Sequence, residues 1–476
     1  MFSKLQTKKT QRGQAIVLVA MAMVGVIGII GLMIDVGGMF IESSKLKRAI
    51  DAAAVSAALQ FREGYSAGDL EAAAQEFIML NENETYAIQV FTCTGLVDQH
   101  DTTDPNIDLC PCNGVTPCEE QRRKLVRIQG TKDLDFHFLP ILGIDGTTIT
   151  ADSVGEAASI DVVLVIDASL SMADLTDGVP GPGPGDDPAI CNTNNSCQPF
   201  RDIKDVAKGF IDTLFFPYDR VSVVTFDRAP HLATYNGTSW QTTPENARAL
   251  IDTLTVYEPD ECDFANHTPP IGPCLNRPAP DNTYVGQGCV PWTDSTSNPK
   301  NPTSCTSSNI GGGLVVAGNQ FAQPPIREEA LWVVILLAGG PANATDPLSG
   351  HPYGACPEST WTQPLCRDDY ASVRHASGSL KYDGDDYARD MADFIVDPIN
   401  GQGAVIYAIG LGDKVINDRT RNADGDHDLG EQLLIYAATE AGGVNDVGIY
   451  YYAPTVAELL NIFRDIAENI ATRISQ

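Results

Sequence analysis

The sequence predicts an α/β protein: an N-terminal transmembrane helix, a small α+β region, then a doubly wound, mostly parallel sheet of Rossmann-like type. Three observations carry that prediction. One long run near the N-terminus is wholly apolar. An alanine-rich helical pattern and three β-rich runs follow it. The second half then alternates continuous apolar strands with amphipathic helices, which is the pattern of strands buried on both faces by helices.

The first element is the apolar run. From Ala15 to Ile34, "AIVLVAMAMVGVIGIIGLMI", twenty residues carry no charge, and at ~1.5 Å rise per residue such a helix spans a ~30 Å hydrocarbon layer. The run exceeds the ~7–15 apolar residues of a signal peptide and no small-x-small cleavage pattern follows it, so an uncleaved anchor is expected. Lys4, Lys8, Lys9 and Arg12 precede the span and Lys45, Lys47 and Arg48 follow it, a small bias toward a cytoplasmic tail over residues 1–14 and a transmembrane segment over 15–34. Met39 to Phe61 reads as a helix continuing outward: it lacks proline, is rich in alanine, and sets Leu46, Ile50, Ala53, Ala54 and Ala57 on one stripe. Gly37 and Gly38 leave room for a bend. Residues 60–158 form the expected small extracytoplasmic region, with a helix at Asp69 to Leu80 and strands at Tyr86 to Thr92, Lys124 to Gln129 and Thr147 to Ala157.

Composition narrows the function. Sixty-two acids against 31 bases give a net charge of −31, and such a surface repels phosphate backbones, so no nucleic-acid partner is expected. All twelve cysteines lie beyond the span, mostly among Pro, Gly and Asn, the usage of disulfides in an oxidising compartment. In "CPCNGVTPC", residues 110–118, zinc is the alternative, but no second close pair or His-x-x-x-His supplies the usual ligand spacing.

From residue 160 to 474 the alternation is regular. Strands are expected at Ile160 to Asp167, Arg220 to Phe226, Leu331 to Leu337, Ala404 to Leu411 and Gly448 to Tyr452. Helices are expected at Arg201 to Leu214, Pro244 to Leu254, Asn309 to Phe321, Asp385 to Val396, Glu431 to Thr439 and Val456 to Arg473. In an open sheet of this kind ligands bind beyond the carboxyl ends of the strands. Asp167 falls at such an end, and Asp-x-Ser-x-Ser places Asp167, Ser169 and Ser171 in one turn. A carboxylate and two hydroxyls suit a hard cation, although serines after a strand also serve as turn and cap residues.

Two stretches resemble known families. "RGQAIVLVAMAMVGVIGIIGLMIDVGGMFIESSKLKRAIDAAAVSAAL", residues 12–59, resembles the N-terminus of tight-adherence (Tad) pilus assembly proteins of the TadE/TadG type, with a basic residue and glycine, an apolar span, an Asp-Val-Gly and an alanine-rich helix. A long helix followed by a small antiparallel sheet is also a pilin-like plan. Residues 160–474 resemble a von Willebrand factor A (VWA) domain, whose metal-ion-dependent adhesion site (MIDAS) uses Asp-x-Ser-x-Ser, a threonine and a second aspartate. Here "SNIGGGL" puts Ser308 at the threonine, and "LLAGG" puts Ala338 and Gly339 where threonine and aspartate are expected. The resemblance therefore implies a degenerate site for Mg²⁺ or Ca²⁺ built from Asp167, Ser169, Ser171 and Ser308. Together the two resemblances imply a single-pass protein of the bacterial cell envelope, its N-terminus cytoplasmic and its bulk outside. Its VWA head would bind a protein or cell-surface ligand alongside other pilus assembly proteins. The alternative is a structural, pilin-like filament subunit polymerising through the N-terminal helix.

Four Pro/Gly/Cys-rich insertions, at residues 173–199, 257–306, 341–384 and 413–430, interrupt the second half. Three follow strands ending near Asp167, Leu337 and Leu411, and the fourth leads into Ser308, so all are expected on the site face. Short closures cost least entropy, which predicts Cys191 with Cys197, Cys262 with Cys274, Cys289 with Cys305, and Cys356 with Cys366; the connectivity of Cys93, Cys110, Cys112 and Cys118 stays open. "NADGDHD", residues 422–428, lacks the glycine and glutamate of an EF-hand. With no nucleophile elbow, P-loop or metalloprotease motif, no enzyme is expected.

Overall fold

In the computed structural model, the described residues are 12–61, 66–82, 86–93, 104–109, 123–176, 178, 186, 188–227, 229–257, 308–342, 384–418, 429–443 and 448–474. They divide into two compact units, Met1–Ala157 and Ala158–Gln476.

The first unit is built on α1 (Arg12–Leu59), one uninterrupted helix through Gly37 and Gly38. Its two halves meet different surroundings. Side chains from Ile16 to Met33 are mostly exposed, whereas Leu46, Ile50, Ala53, Ala54, Ala57 and Ala58 are fully buried. The buried stripe packs against α2 (Ala67–Glu82) and against a three-stranded antiparallel sheet, β1 (Ala87–Thr92), β2 (Lys124–Asp135) and β3 (Gly146–Ala157), in spatial order β1-β2-β3. Alternation along β2 sends Val126 and Ile128 inward, as a sheet with one covered face requires. Strand β2 outruns its expected end at Gln129 because its pairing with β3 continues from Lys124↔Ala157 to Asp135↔Gly146.

The second unit opens with β4 (Ile160–Asp167), followed by α3 (Pro188–Thr193), α4 (Phe200–Ile211), β5 (Arg220–Phe226), β6 (Pro230–Leu232) and α5 (Pro244–Thr253). Beyond it come α6 (Ile310–Phe321), β7 (Leu331–Ala338), α7 (Gly384–Val396), β8 (Val405–Leu411), α8 (Asp413–Asn417), α9 (Gly430–Thr439), β9 (Tyr450–Ala453) and α10 (Val456–Ile474). The six strands lie in the order β6-β5-β4-β7-β8-β9, parallel except for the antiparallel edge strand β6. This is the doubly wound order, first strand central, in which the winding reverses between β4 and β7.

A hydrophobic cluster covers each face of that sheet. Leu164 and Ile166 point to one side with Phe210 and Phe463, under α4, α5 and α10. Val163 and Val165 point to the other with Phe321 and Met391, under α6, α7 and α9. Every residue of β4 and β5 is buried, which is why their sequences read as unbroken apolar runs. The short elements α3, β6 and α8 were not anticipated: three to six residues hold too few side chains to show a period.

At the amino ends of the central strands sits a charge cluster. Asp161 faces Arg220 at 2.7 Å and Arg327 at 3.1 Å, and the Arg220 guanidinium lies 4.2 Å from the centre of the Trp240 ring.

Candidate functional site

The reversal of winding puts the ends of β4 and β7 beside each other, and there the structure brings Asp167 to Gly339. The Gly339 N–H donates to Asp167 Oδ2 at 2.9 Å, and the Ser169 N–H donates to Oδ1 at 2.9 Å. Asp167 has no exposed surface. Burial pushes its carboxyl up from the ordinary aspartate value, against the pull of the Gly339 and Ser169 donors and of the Lys414 charge.

After Asp167 the chain passes through Ser169 into a tight 3-10 turn, Leu170–Ala173. That turn sets the Ser169 and Ser171 hydroxyls 3.0 Å apart. Ser308 reaches the same edge by another route: its neighbour Asn309 donates its N–H to the Asp227 carbonyl just past β5, at 2.7 Å, and caps α6 by accepting from the Gly312 N–H. Ser308 is buried. Asp167, Ser169, Ser171 and Gly339 are thus in one hydrogen-bonded group, with Ser308 at the carboxyl edge beside it.

A side chain at Gly339 would first have to move the end of Met172. A Cβ built on the glycine would collide with the terminal methyl of Met172 and stand 3.5 Å from Asp167 Oδ2. Met172 is buried, so a thioether fills the place from which a second carboxylate would grow. Hard cations take six or more oxygens, and thioether sulfur is a soft donor. Both Asp167 oxygens already accept N–H groups, and among the described residues no three His, Cys, Asp or Glu side chains gather as metal ligands. Among the described residues these donors do not close a cage around Mg²⁺ or Ca²⁺.

Three residues at this edge were missed from sequence. Asp227, buried, accepts from the Ala229 N–H at 2.8 Å and meets His231 Nε2 at 2.9 Å; an acid directly after an apolar strand, as in "VVTFD", is the same signal that exposed Asp167. Lys414, at the start of α8, pairs with Asp174 at 2.7 Å and brings a fixed positive charge to the site. Met172 had no sequence signal of its own.

Behind the site, α3 is tied by the Cys191–Cys197 disulfide, the pair expected from their spacing. Leu175 and Gln198 bond backbone to backbone, and the Thr176 hydroxyl accepts from the Gln198 N–H, so the described ends of this insertion are held to each other. Cys93 is also disulfide-bonded. Cys110, Cys112, Cys118, Cys262, Cys274, Cys289, Cys305, Cys356, Cys366 and the acidic stretch 422–428 lie outside the described residues.

Comparison with known proteins bears on both units. Residues 13–60 match the Flp pilus-assembly TadE/G-like family, Tad. No curated protein sequence matches the chain. Among solved structures, proximal thread matrix protein 1 from the mussel byssus, in a form with a zinc-occupied MIDAS motif, is similar at 17% identity and a TM-score of 0.31 over 66% of this chain and 46% of that one. The chain therefore spans about half the length of that protein. The von Willebrand factor domain of the type V pili tip protein Mfa5 from Porphyromonas gingivalis is similar at 15% identity and a TM-score of 0.36, covering 67% of this chain and 97% of that one. The PilB minor pilin from Streptococcus sanguinis is similar at 14% identity and a TM-score of 0.36, covering 74% and 76%.

Proposed function

We propose that this chain is a membrane-anchored envelope protein of a Tad-type pilus or surface assembly, whose VWA-like head binds a protein or surface ligand without catalysis. The observation that carries the proposal is the match of residues 13–60 to a pilus-assembly family, on a helix that exposes its apolar first half and is long and apolar enough to cross a membrane. The Cys191–Cys197 disulfide supports an oxidising compartment for the head; in this reading residues 1–14 would be cytoplasmic, 15–34 in the bilayer, and the 60–158 and 160–474 regions outside. The ligand would meet the carboxyl edge of the sheet, around Asp167, Ser169, Ser171 and Ser308, where a weakly held Mg²⁺ or Ca²⁺ could take part in the contact. A filament subunit is the second reading, favoured by the length of exposed α1.

Protease added to intact spheroplasts tests the topology. It should remove the chain beyond residue 60 and leave the N-terminal tail protected. Protection of the head would overturn the localisation and the disulfide argument with it. Filaments that vanish on deletion within residues 15–59 would favour the second reading.

A further inference from the structure

The β2–β3 hairpin ends in the loop "FHFLPILGI", residues 136–144, and this loop turns its apolar side chains outward. Phe138, Ile141, Leu142 and Ile144 are 40%, 83%, 76% and 48% exposed. For a loop in water that arrangement is unfavourable, since each such side chain gives up the gain of burial.

The loop is also clamped to the membrane-spanning helix. Asp35, one residue past the apolar run 15–34, is buried, and its carboxylate accepts three successive backbone N–H groups: His137 to Oδ1 at 2.9 Å, Phe138 to Oδ2 at 2.8 Å and Leu139 to Oδ2 at 2.7 Å. One turn earlier, Gly31 lets Phe138 lie against the helix, for a Cβ there would stand 2.8 Å from Phe138 Cβ. Helix geometry puts Gly31 about 6 Å deeper along the axis than Asp35.

Four of the remaining amides are answered locally. Phe136 donates to the Asp145 carbonyl, Ile141 to Phe138, Gly143 to Pro140 and Ile144 to Leu139, at 2.9 to 3.2 Å, and Pro140 has no N–H to satisfy. Donors satisfied by Asp35 and within the loop, with apolar side chains on the outside, lower the cost of placing this loop at the headgroup–acyl boundary, where carbonyls still reach water; the hydrocarbon centre would exclude such irregular backbone. The acids and lysines stop at its borders, with Asp133, Asp135 and Asp145 flanking it and Lys132 paired to Glu42 at 2.8 Å; the one titratable side chain inside it, His137, is exposed, as a place at the wet headgroup level allows.

We propose that residues 136–144 are a second membrane contact: a hairpin tip, held by Asp35, that inserts at the headgroup–acyl boundary of the leaflet nearest the 60–158 region. The occupant of its apolar surface is lipid, because the loop is fixed against the part of α1 that itself lies in the bilayer. An insertion of ~5–10 Å is the usual depth for interfacial segments and agrees with the distance from Asp35 to Gly31. The consequence is mechanical: α1 would leave the membrane at a set height and tilt, with the sheet seated on the surface.

The proposal rests on the membrane-anchored reading, and one experiment separates the two. Full-length protein carrying Ile141→Trp is reconstituted into phosphatidylcholine vesicles with chains brominated near the headgroup. Ile399→Trp, at a site 86% exposed in the second unit, is the control. Emission is measured as a difference from the unsubstituted protein with its four native tryptophans. The indole at 141 should lose most of its emission to brominated lipid, shift to the blue and resist acrylamide, while the control behaves in the opposite way. Adding Asp35→Ala should restore acrylamide access at 141. Protein that fails to float with vesicles overturns both readings. Flotation with equal acrylamide access at the two sites overturns the loop insertion alone. Protection from acrylamide without lipid quenching would mean that a second copy or another protein covers the loop, and would equally overturn it.

Discussion

Asp161 and Asp167 stand near opposite ends of strand β4, and neither side chain has any exposed surface. Asp161, at the amino end, faces two guanidiniums, Arg220 and Arg327. Asp167, at the carboxyl end, faces two backbone N–H groups and a serine hydroxyl, with Lys414 acting only through its field. Burial pushes both carboxyls up, but the opposing forces differ in kind. Two full charges hold Asp161 in a closed cluster, whereas Asp167 is held by dipoles and keeps an uncompensated share of its charge. The same strand thus carries one acid closed into an ion cluster and one held only by dipoles.

The largest effect that could break this comparison is at Asp161. Asp161→Ala would leave Arg220 and Arg327 buried without their counter-ion, and losing one partner of a buried ion pair costs about 3–5 kcal/mol. Arg327 would keep its bond to the Tyr218 carbonyl at 2.6 Å, and Arg220 its bond to the Pro325 carbonyl at 3.1 Å. Urea unfolding of the detergent-solubilised chain should show a loss of that size in the head. A loss below about 1 kcal/mol would mean the carbonyls and Trp240 suffice, and Asp161 would not be what holds the two guanidiniums in place.

A smaller effect is expected at the other end. Asp167→Ala removes the acceptor of the Ser169 and Gly339 N–H groups, but it also removes a carboxylate whose burial is costly. Stranded donors cost ~1–3 kcal/mol each and the relieved desolvation offsets part of that, so the net loss should be about 1–3 kcal/mol by the same urea titration. A loss equal to that of Asp161→Ala would erase the distinction between the two acids.

How much of this could be read from sequence follows from how many residues each feature spans. Strand β4 was legible to the residue because eight consecutive buried positions leave an unmistakable apolar run. The stripe from Leu46 to Ala57 was legible because small and apolar residues recur at the spacing of one helix face over about three turns. Asp167, Ser169 and Ser171 were legible because a single turn holds them. Met172 was not, since its role depends on β7 arriving from 160 residues further on with a glycine at its end. Lys414 likewise matters only through the parallel pairing of β7 with β8. The Asp35 clamp joins positions a hundred residues apart, and no local pattern marks it.

The smallest effect tests whether the dipole-held Asp167 can meet a cation at all. In place of a second carboxylate the site holds the Met172 methyl, and Lys414 already supplies positive charge nearby. The unaltered protein should therefore bind Mg²⁺ or Ca²⁺ no tighter than the millimolar range of weak extracellular sites. Gly339→Asp alone should gain little, because the new side chain must first displace Met172. Met172→Ala with Gly339→Asp makes the room, and the added charge then acts at close range. At ~4 Å and an effective dielectric of ~20 a unit pair is worth about 4 kcal/mol, most of it offset by dehydration and by repulsion from Asp167. A net of roughly 1.4–2.8 kcal/mol is a ten- to hundredfold gain in affinity. Calorimetric titration of the unaltered, single and double variants reads it directly, and Asp167→Ala should remove binding in any of these backgrounds. Micromolar binding by the unaltered protein, or equal affinity in all four, would show that a cation is held by other groups and that the Asp167 turn is only structural.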